Sequence, residues 1–377
     1  MKILKWIFVT ILLLVVLLSG YITITGNNYI YKAIAYNYAD IDDYVLFPND
    51  TVKAGMPQPW PVSKTYNRIK PFPSLQQQLD SIRSVAFVVI KDDSICFEEY
   101  WDGYSEASFS NSFSVAKSII SLLAGIALGE GKIRSLDDPI GKYIHDFKHP
   151  EMGNVTIRQL LMMSSNSSWD ESYSGLFSQT TKGYYGTDLH EQVMSLQLQG
   201  SPGKLYSYRS GDTQLLSLVL KAATGKSVSV YASEKLWKPM GAEHDALWSL
   251  DHKGGIEKAY CCFNSNARDF ARIGNLMLHN GNWKGRQLVP EEYVKEALQP
   301  VGLPDETGMA TNYYGYQWWL MPERGNVFYA RGINGQWIIC IPDKQMVIVR
   351  LGHLRGEKML TAYKEVYEMV DWAMASF

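Results

Sequence analysis

The sequence predicts an α/β fold in which an antiparallel sheet is flanked by helices and interrupted by a mostly helical insertion, with a membrane segment in front. Three observations support this prediction. β-rich runs lie near both ends of the folded part, helical patterns fill about 130–250, and the N-terminus carries a long apolar run without charge. Strands at both ends that enclose helices favour one mixed domain over separate α and β domains.

The first element is the apolar run Trp6–Thr25, which follows Lys2 and Lys5. A helix of that length crosses a hydrocarbon layer of about 30 Å. The two lysines favour a cytoplasmic N-terminus, which places the rest of the chain outside, in the periplasm or the extracellular space. A cleaved signal peptide looks similar, but no small-x-small site follows the run. We therefore expect residues 1–26 to be an uncleaved anchor; cleavage would give a secreted protein.

The second element, residues 27–79, is rich in tyrosine and then in proline, at positions 57, 59, 61, 71 and 73. Because proline lacks an N–H and fixes φ, these positions argue against a regular helix or a central strand. We expect an extension that wraps the domain formed by residues 80–377 and spaces it from the membrane. That domain opens with two β-rich runs around Asp92–Asp93, which indicate a hairpin. It closes with four short strands and an amphipathic helix over 357–374.

Composition narrows the class of protein. The formal net charge is −2 and no basic run is present, which argues against nucleic-acid binding. His145 and His149 lack a third ligand nearby, so no metal site is expected. The four cysteines, at 96, 261, 262 and 340, do not have metal-pair spacing. Adjacent cysteines rarely bridge each other, so we expect buried free thiols; a disulfide in an exported protein is the open alternative.

Ser114 and Lys117, in "NSFSVAKSII", are the first candidates for chemistry. They stand three residues apart at the start of a predicted helix, so their side chains share a face. Unpaired N–H groups at a helix start favour an oxyanion, and a lysine in apolar surroundings loses its proton more readily. The alternative is that Ser114 only caps the helix. A second Ser-x-x-Lys, Ser201–Lys204, contains proline and glycine, so we do not expect it on a helix.

Two later elements add to this pair. A turn delivers Tyr208, and two residues later Ser210, to the start of another predicted helix; a phenol near a lysine amine can pass protons. A glycine-bracketed turn, Gly332–Gly335, leads into a strand, where the backbone N–H of Gln336 could complete an oxyanion hole. Taken alone, the first element is better explained by packing tyrosines ahead of an N-cap serine, and an ordinary β-turn is the alternative for the second.

Together, Ser114-Val-Ala-Lys117, Tyr208-Arg-Ser210 and the Gly332–Gly335 turn resemble the serine β-lactamase and penicillin-binding-protein-like superfamily. The resemblance runs from about Asp80 to the C-terminus and is closest to the class C-related esterases, DD-peptidases and 6-aminohexanoate-dimer hydrolases. It implies an acyl-enzyme cycle without metal or organic cofactor. Ser114 would attack a carbonyl, Lys117 would act as base, and Tyr208 would carry the proton to the leaving group. The N–H groups of Ser114 and Gln336 would hold the oxyanion.

Departures from the class C pattern bear on the substrate. Ser210 stands where that pattern has asparagine, and Ile333-Asn334-Gly335 stands where Lys-Thr-Gly or His-x-Gly is usual. The missing lysine weakens the case for β-lactam binding, whereas Tyr-x-Ser resembles the 6-aminohexanoate-dimer hydrolase branch. We therefore expect a small ester, linear amide or peptide as substrate. The expected substrate contacts are Ser210, Asn334 and Gly335, with Trp169 and Tyr173 from a loop over 164–186 that covers the cleft.

Two other functions stay open from the sequence. A β-lactamase or DD-peptidase would use the same residues on another substrate. A penicillin-recognising sensor or binding module would keep the fold with little turnover. Because serine, lysine and tyrosine are all present, the sequence favours an enzyme. An α/β-hydrolase is excluded, since the chain has no Gly-x-Ser-x-Gly elbow.

Overall fold

The two β-rich ends of the chain meet in one antiparallel sheet of six strands. The computed structural model describes all residues, 1–377. Its strands are β1 (Asn49–Val52), β2 (Ser84–Lys91), β3 (Ser94–Tyr100), β4 (Ser110–Asn111), β5 (Ala246–Ser249), β6 (Phe263–Ser265), β7 (Asn282–Trp283), β8 (Arg286–Gln287), β9 (Trp319–Leu320), β10 (Phe328–Gly332), β11 (Gln336–Ile341) and β12 (Met346–Gly352). The main sheet has the order β3-β2-β12-β11-β10-β9, and a smaller sheet has the order β1-β5-β6-β4.

Helices cover both faces of the main sheet and are the main regular elements in the middle of the chain. They are α1 (Lys2–Ile24), α2 (Tyr29–Tyr36), α3 (Pro73–Ser81), α4 (Val115–Gly129), α5 (Ile157–Leu161), α6 (Gln179–Tyr185), α7 (Leu189–Met194), α8 (Ser210–Thr224), α9 (Val228–Ala232), α10 (Ala267–Leu278), α11 (Glu291–Ala297) and α12 (Lys364–Ser376). The mixed fold with an antiparallel sheet confirms the predicted class.

The alternation of side chains along the central strands builds two cores. In β11, Ile338 and Cys340 belong to the core shared with α4 and α10, whereas Trp337 and Ile339 belong to the core under α3 and α12. Successive side chains of a strand point to opposite faces, so a strand apolar at every position needs cover on both sides. The sheet therefore lies between two helical layers, with α4, which carries the candidate nucleophile, on one of them.

Local sequence explains several boundaries. Asp92 and Asp93 have φ of +47° and +59° in the two-residue turn between β2 and β3, the backbone that a tight hairpin turn requires. Helix α5 begins with a capping box, in which the Thr156 side chain accepts from the Gln159 N–H and the glutamine side chain accepts from the Thr156 N–H. The predicted hairpin is confirmed.

Two predicted elements differ from the structure. The 27–79 extension contains helices α2 and α3, although its prolines predict none. Helix α3 starts at Pro73, and proline is tolerated at the first helical position because the N–H there has no helical partner. The last helix begins at Lys364 rather than at 357, because the residues before it form a turn closed by a bridge between Lys358 and Tyr363.

Helix α1 is long and apolar enough to cross a membrane and is exposed along nearly all its length. Of its side chains only Ile22 is buried. The chain then turns into α2, which packs against α6 through the buried Tyr29, Ile30 and Ala33. The extension therefore lies on the folded domain from its first residues onward.

Candidate active site

Ser114 is presented by a strained turn between β4 and α4. The preceding residue, Phe113, has φ of +45°, which is unusual for a bulky side chain. Asn111 stabilises this turn, because its Oδ1 accepts from the Phe113 N–H at 2.9 Å. The Ser114 side chain makes no capping bond, and its backbone N–H has no partner in the protein. The turn thus leaves the backbone N–H of Ser114 unpaired and keeps its hydroxyl out of helix capping.

Lys117 lies one helical turn further, next to Ser114. Its Nζ is 2.9 Å from Ser114 Oγ and donates to the Tyr260 carbonyl at 2.8 Å. The side chain is buried, and burial lowers the pKa of Lys117 to about 8; the negative charge of Glu171 opposes that shift and Arg331 adds to it. A lysine with this pKa is partly neutral near neutral pH, which is the state that accepts a proton.

Tyr208 stands against the same amine. Its ring centroid is 5.1 Å from Lys117 Nζ, and its ring packs against Tyr314 and Trp319. Burial raises the pKa of the Tyr208 phenol, and the charge of Glu171 raises it further. The phenol therefore keeps its proton across the ordinary pH range. It can donate that proton but does not start as a base.

Glu171 ties several candidate residues together. Its carboxylate accepts from the Ser210 N–H at 2.6 Å, the Ser210 hydroxyl at 2.7 Å and the Tyr173 hydroxyl at 2.6 Å. The Ser210 hydroxyl is thus engaged by Glu171. This carboxylate fixes the start of α8 and places a negative charge near Lys117.

Arg350 stabilises the turn after β10. The Arg350 Nη1 donates to the carbonyls of Asn334 at 3.1 Å and Gly335 at 2.9 Å. Gly335 has φ of +81°, and a Cβ there would lie 2.3 Å from Arg350 Nη1, so only glycine fits. The Asn334 side chain donates to the Ala39 carbonyl at 2.9 Å. Gln336 is fully buried, and its side chain bonds to Ile333 and Gly352.

These elements surround a cleft of ≈ 920 Å³. Of the residues predicted as site or contact residues, Ser114, Tyr173, Ser210 and Asn334 line it. The predicted covering loop does form one wall, but part of it is the helix α6. Residues 33–39 of the extension form another wall.

The remaining candidates lie outside that cleft. Lys117, Gly335 and Gln336 are buried and are not among the residues that line it. Trp169 and Tyr208 border an adjoining cavity of ≈ 490 Å³, which shares Glu171 with the main cleft. Trp169 is only 3% exposed and packs edge-on against Tyr260.

The prediction about the cysteines is half wrong. Cys261 and Cys262 are joined by a disulfide, whereas Cys96 and Cys340 are buried free thiols, as expected. The disulfide directly follows Tyr260, whose carbonyl bonds to Lys117, and Cys261 lines the cleft. Backbone geometry, which brings the two sulfurs together here, overrides the general rarity of such pairs.

Residues 73–367 match the protein-family model described as Beta-lactamase. The chain belongs to the beta-lactamase family. It is 27% identical over 297 residues to the 6-aminohexanoate-dimer hydrolase of Paenarthrobacter ureafaciens, covering 74% of this chain and 75% of that protein. The present protein is thus a hydrolase of the β-lactamase-like family, and the predicted resemblance is confirmed.

Solved structures share the fold. A Bacillus anthracis protein, provisionally named a 6-aminohexanoate-dimer hydrolase, superposes with a TM-score of 0.76 at 24% identity, over 87% of this chain and 90% of that one. A family VIII carboxylesterase superposes with a TM-score of 0.63 at 14% identity, over 81% and 98% of the two chains.

Two residues around the site escape sequence reasoning: Glu171 and Tyr260. Tyr260 contacts Lys117 through its backbone carbonyl, and Glu171 acts on Lys117 through its charge. Both are far from Lys117 in the sequence, so no local motif marks them. Only Glu171 had a signal, since it lies between Trp169 and Tyr173 in the segment predicted to cover the cleft.

Proposed function

We propose that the protein is a serine hydrolase that cleaves an ester or linear amide through an acyl-enzyme, with Ser114 as nucleophile. The observation that carries the proposal is the 2.9 Å contact between Ser114 Oγ and the buried amine of Lys117. A serine hydroxyl is a weak nucleophile until an adjacent base removes its proton. A buried lysine whose pKa is lowered to about 8 is such a base.

In acylation, Ser114 Oγ attacks the substrate carbonyl carbon and its proton passes to neutral Lys117. The negative charge on the carbonyl oxygen is held by the free N–H of Ser114 at the start of α4, aided by the helix dipole, with the N–H of Gln336 as second donor. As the C–O or C–N bond breaks, Tyr208 gives its proton to the leaving group and regains one from Lys117.

In deacylation, water takes the place of the leaving group. Lys117, neutral again, accepts a proton from that water, and the hydroxide adds to the acyl carbon. The ester bond to Ser114 breaks, and Lys117 passes the proton it took from water to the serine oxygen, which returns the amine to its neutral state. One water is consumed, and the carboxylic acid is released.

The substrate class rests on the cleft and on the relatives. Ile333-Asn334-Gly335 offers no lysine for a carboxylate of the β-lactam type, and the Asn334 amide already bonds to Ala39. The Paenarthrobacter relative is named for hydrolysis of a 6-aminohexanoate dimer, a compound with an amide bond. That name, together with the missing lysine, supports an ester or a linear amide over a β-lactam.

We also propose that α1 anchors the protein in a membrane with the catalytic domain outside. Lys2 and Lys5 precede the apolar helix, which supports a cytoplasmic N-terminus. A disulfide between Cys261 and Cys262 fits an oxidising compartment. Protease added to intact cells, or to spheroplasts where the cell has an outer membrane, should digest the domain, and protein recovered from membranes should retain its N-terminal residues.

The experiment uses the full chain in detergent beside Ser114→Ala and Tyr208→Phe. Release of p-nitrophenol from p-nitrophenyl acetate is followed before and during steady state, with a chromogenic cephalosporin in parallel. We expect ester turnover in the wild type and none above background in Ser114→Ala. An acetyl group should appear by mass spectrometry on the peptide that contains Ser114. Tyr208→Phe should lower kcat by about 100-fold or more while the fold is kept.

The other outcomes are informative. Fast cephalosporin turnover would replace the esterase with a β-lactamase. A single burst without turnover would indicate an acylated sensor. No reaction and no acetyl-enzyme from folded protein would refute the proposed nucleophile and leave a binding module.

A further inference from the structure

We propose that the cleft opens at the membrane interface and that its substrate is a membrane-resident amphiphile, an ester or amide with a long acyl chain. The acyl chain of that substrate lies along the cleft wall made by residues 33–39. This inference rests on the proposed function and on α1 as a membrane anchor. It goes further, because it names both the substrate class and the route by which substrate arrives.

The first step is that the segment following the anchor is part of the active-site cleft. Ala33, Ile34, Tyr38 and Ala39 line the cleft together with the covering segment, against which α2 packs through α6. The Ala39 carbonyl accepts the Asn334 amide at 2.9 Å. The cleft wall is therefore continuous from the end of α2 to the turn after β10. A substrate bound at Ser114 meets residues of the juxtamembrane segment.

The second step concerns distance. Only four residues, Thr25–Asn28, separate α1 from α2, and four residues span at most about 14 Å. The junction is also tied together, since the Tyr31 hydroxyl donates to the Ser19 carbonyl at 3.0 Å. An anchor that ends at Ile24 therefore holds the cleft wall within reach of the lipid headgroups.

The third step concerns the exposed surface around the mouth. Apolar and aromatic side chains that face solvent cluster on α2, just after α2, and on the segment before α6. Ile34 is 58% exposed, Tyr38 81% and Phe177 66%, and Leu176 is exposed beside them. Tyrosine is favoured at the level of the headgroups, and exposed apolar patches next to a membrane segment mark a membrane contact.

The chemistry of the lining selects the substrate. Apart from Glu171 and Arg355, the lining side chains of the cleft are uncharged, and Ile34, Leu176 and Ile333 offer apolar surface beyond Ser114. Each buried methylene contributes about 0.8 kcal/mol, which corresponds to about fourfold in affinity. An acyl chain that extends from the reacting carbonyl toward the mouth is therefore bound more strongly with each carbon that it buries.

The first test uses the full chain reconstituted in phosphatidylcholine vesicles. We compare kcat/KM for p-nitrophenyl decanoate and p-nitrophenyl acetate in the wild type, Ile34→Asp, Leu176→Asp and, as control, Met56→Asp. Met56 is exposed in the same extension and does not line the cleft. We expect decanoate to exceed acetate by at least about tenfold in the wild type and in Met56→Asp. In the other two variants the ratio should fall toward one.

The second test does not depend on turnover. An environment-sensitive dye is attached to the cysteine of Phe177→Cys. As control it is attached to Met374→Cys on α12, which covers the face of the main sheet opposite to α4. Lipids with a spin label near the headgroup should quench the dye at 177 and not at 374. A lack of quenching at 177 would overturn the membrane-facing mouth, whatever the enzyme does.

The two proposals fail in different ways. Ser114-dependent turnover of both esters with a ratio near one, or an equal fall of the ratio in Met56→Asp, would overturn the acyl-chain wall and leave the hydrolase intact. Absence of Ser114-dependent turnover of either ester would overturn the proposed function and with it the substrate class. Quenching at 177 would then decide the position of the mouth alone.

Discussion

The ionisation of Lys117 offers the most direct test of the proposed mechanism. With a pKa of about 8, roughly 9% of the amine is neutral at pH 7, compared with roughly 0.03% for an ordinary lysine. Burial therefore increases the neutral fraction of the amine, the proposed base, about 300-fold. We expect kcat/KM for p-nitrophenyl acetate to fall tenfold per pH unit below about 8 and to level off above it, because the raised pKa of Tyr208 keeps its phenol protonated.

Two neighbouring charges set the position of that inflection with opposite signs. Glu171 raises the pKa of Lys117 and Arg331 lowers it. Glu171→Gln should therefore move the inflection to lower pH, and Arg331→Gln should move it to higher pH. A partly screened unit charge changes such an equilibrium by on the order of 1 kcal/mol, or about fivefold in the neutral fraction on the acid limb. Asp170→Asn removes a neighbouring exposed carboxylate and is the matched control.

The position of the inflection carries the test, not the height of the plateau. Glu171 also holds Ser210 and Tyr173, so its loss lowers the rate for reasons unrelated to charge. If both variants moved the inflection in the same direction, or if Asp170→Asn moved it as far, the titrating group would not be Lys117. The assignment of the base would then be wrong.

Three further predictions follow from particular contacts. Gly335→Ala should lower the free energy of unfolding in urea by about 1–3 kcal/mol and should reduce ester turnover. Gly325 also has a positive φ, of +72°, but has open space around it, so Gly325→Ala should have a smaller effect. Equal effects of the two substitutions would contradict the close approach of Arg350 to Gly335. Burial raises the pKa of Asp212 to about 7, so the stability contributed by its protonated form is present at low pH and is lost as pH rises from about 4 through 7. In Asp212→Asn the urea midpoint should therefore change less with pH across that window. An unchanged pH dependence of the midpoint would argue against the raised pKa of Asp212. Alkylation of unfolded, unreduced protein should modify two cysteines and, after reduction, four; four at the outset would show that the disulfide does not form.

Much of the fold could be predicted because its signals are local. The hairpin turn at Asp92–Asp93 and the four C-terminal strands were evident from turn residues and β-branched runs. Helix α2 was not, because its eight residues form a helix mainly by packing Ile30 and Ala33 against α6. Short helices have little stability of their own, so tertiary contacts decide whether they form.

The candidate site divides in the same way. Ser114 and Lys117 are three residues apart, so their contact follows from helical geometry alone. The electrostatic field around Lys117 does not follow from helical geometry, because Glu171 and Arg331 act on it from separate segments of the chain. Ser210 illustrates the limit: its position at the cleft was expected, but its bond to Glu171 depends on how the covering segment folds back.

The pairing of β2 with β12 has a consequence for how the chain folds. Val88 lies opposite Val349, so the centre of the main sheet joins residues from nearly opposite ends of the domain. Until β12 is available, β2 and β3 form a hairpin with one edge open, and such an edge can pair with another chain. Contacts of this sequence separation form slowly, because a long loop must close first. Nascent chains truncated before residue 346 should therefore remain sensitive to protease and prone to aggregate, and helix α4 should settle against the sheet only at the last stage of folding.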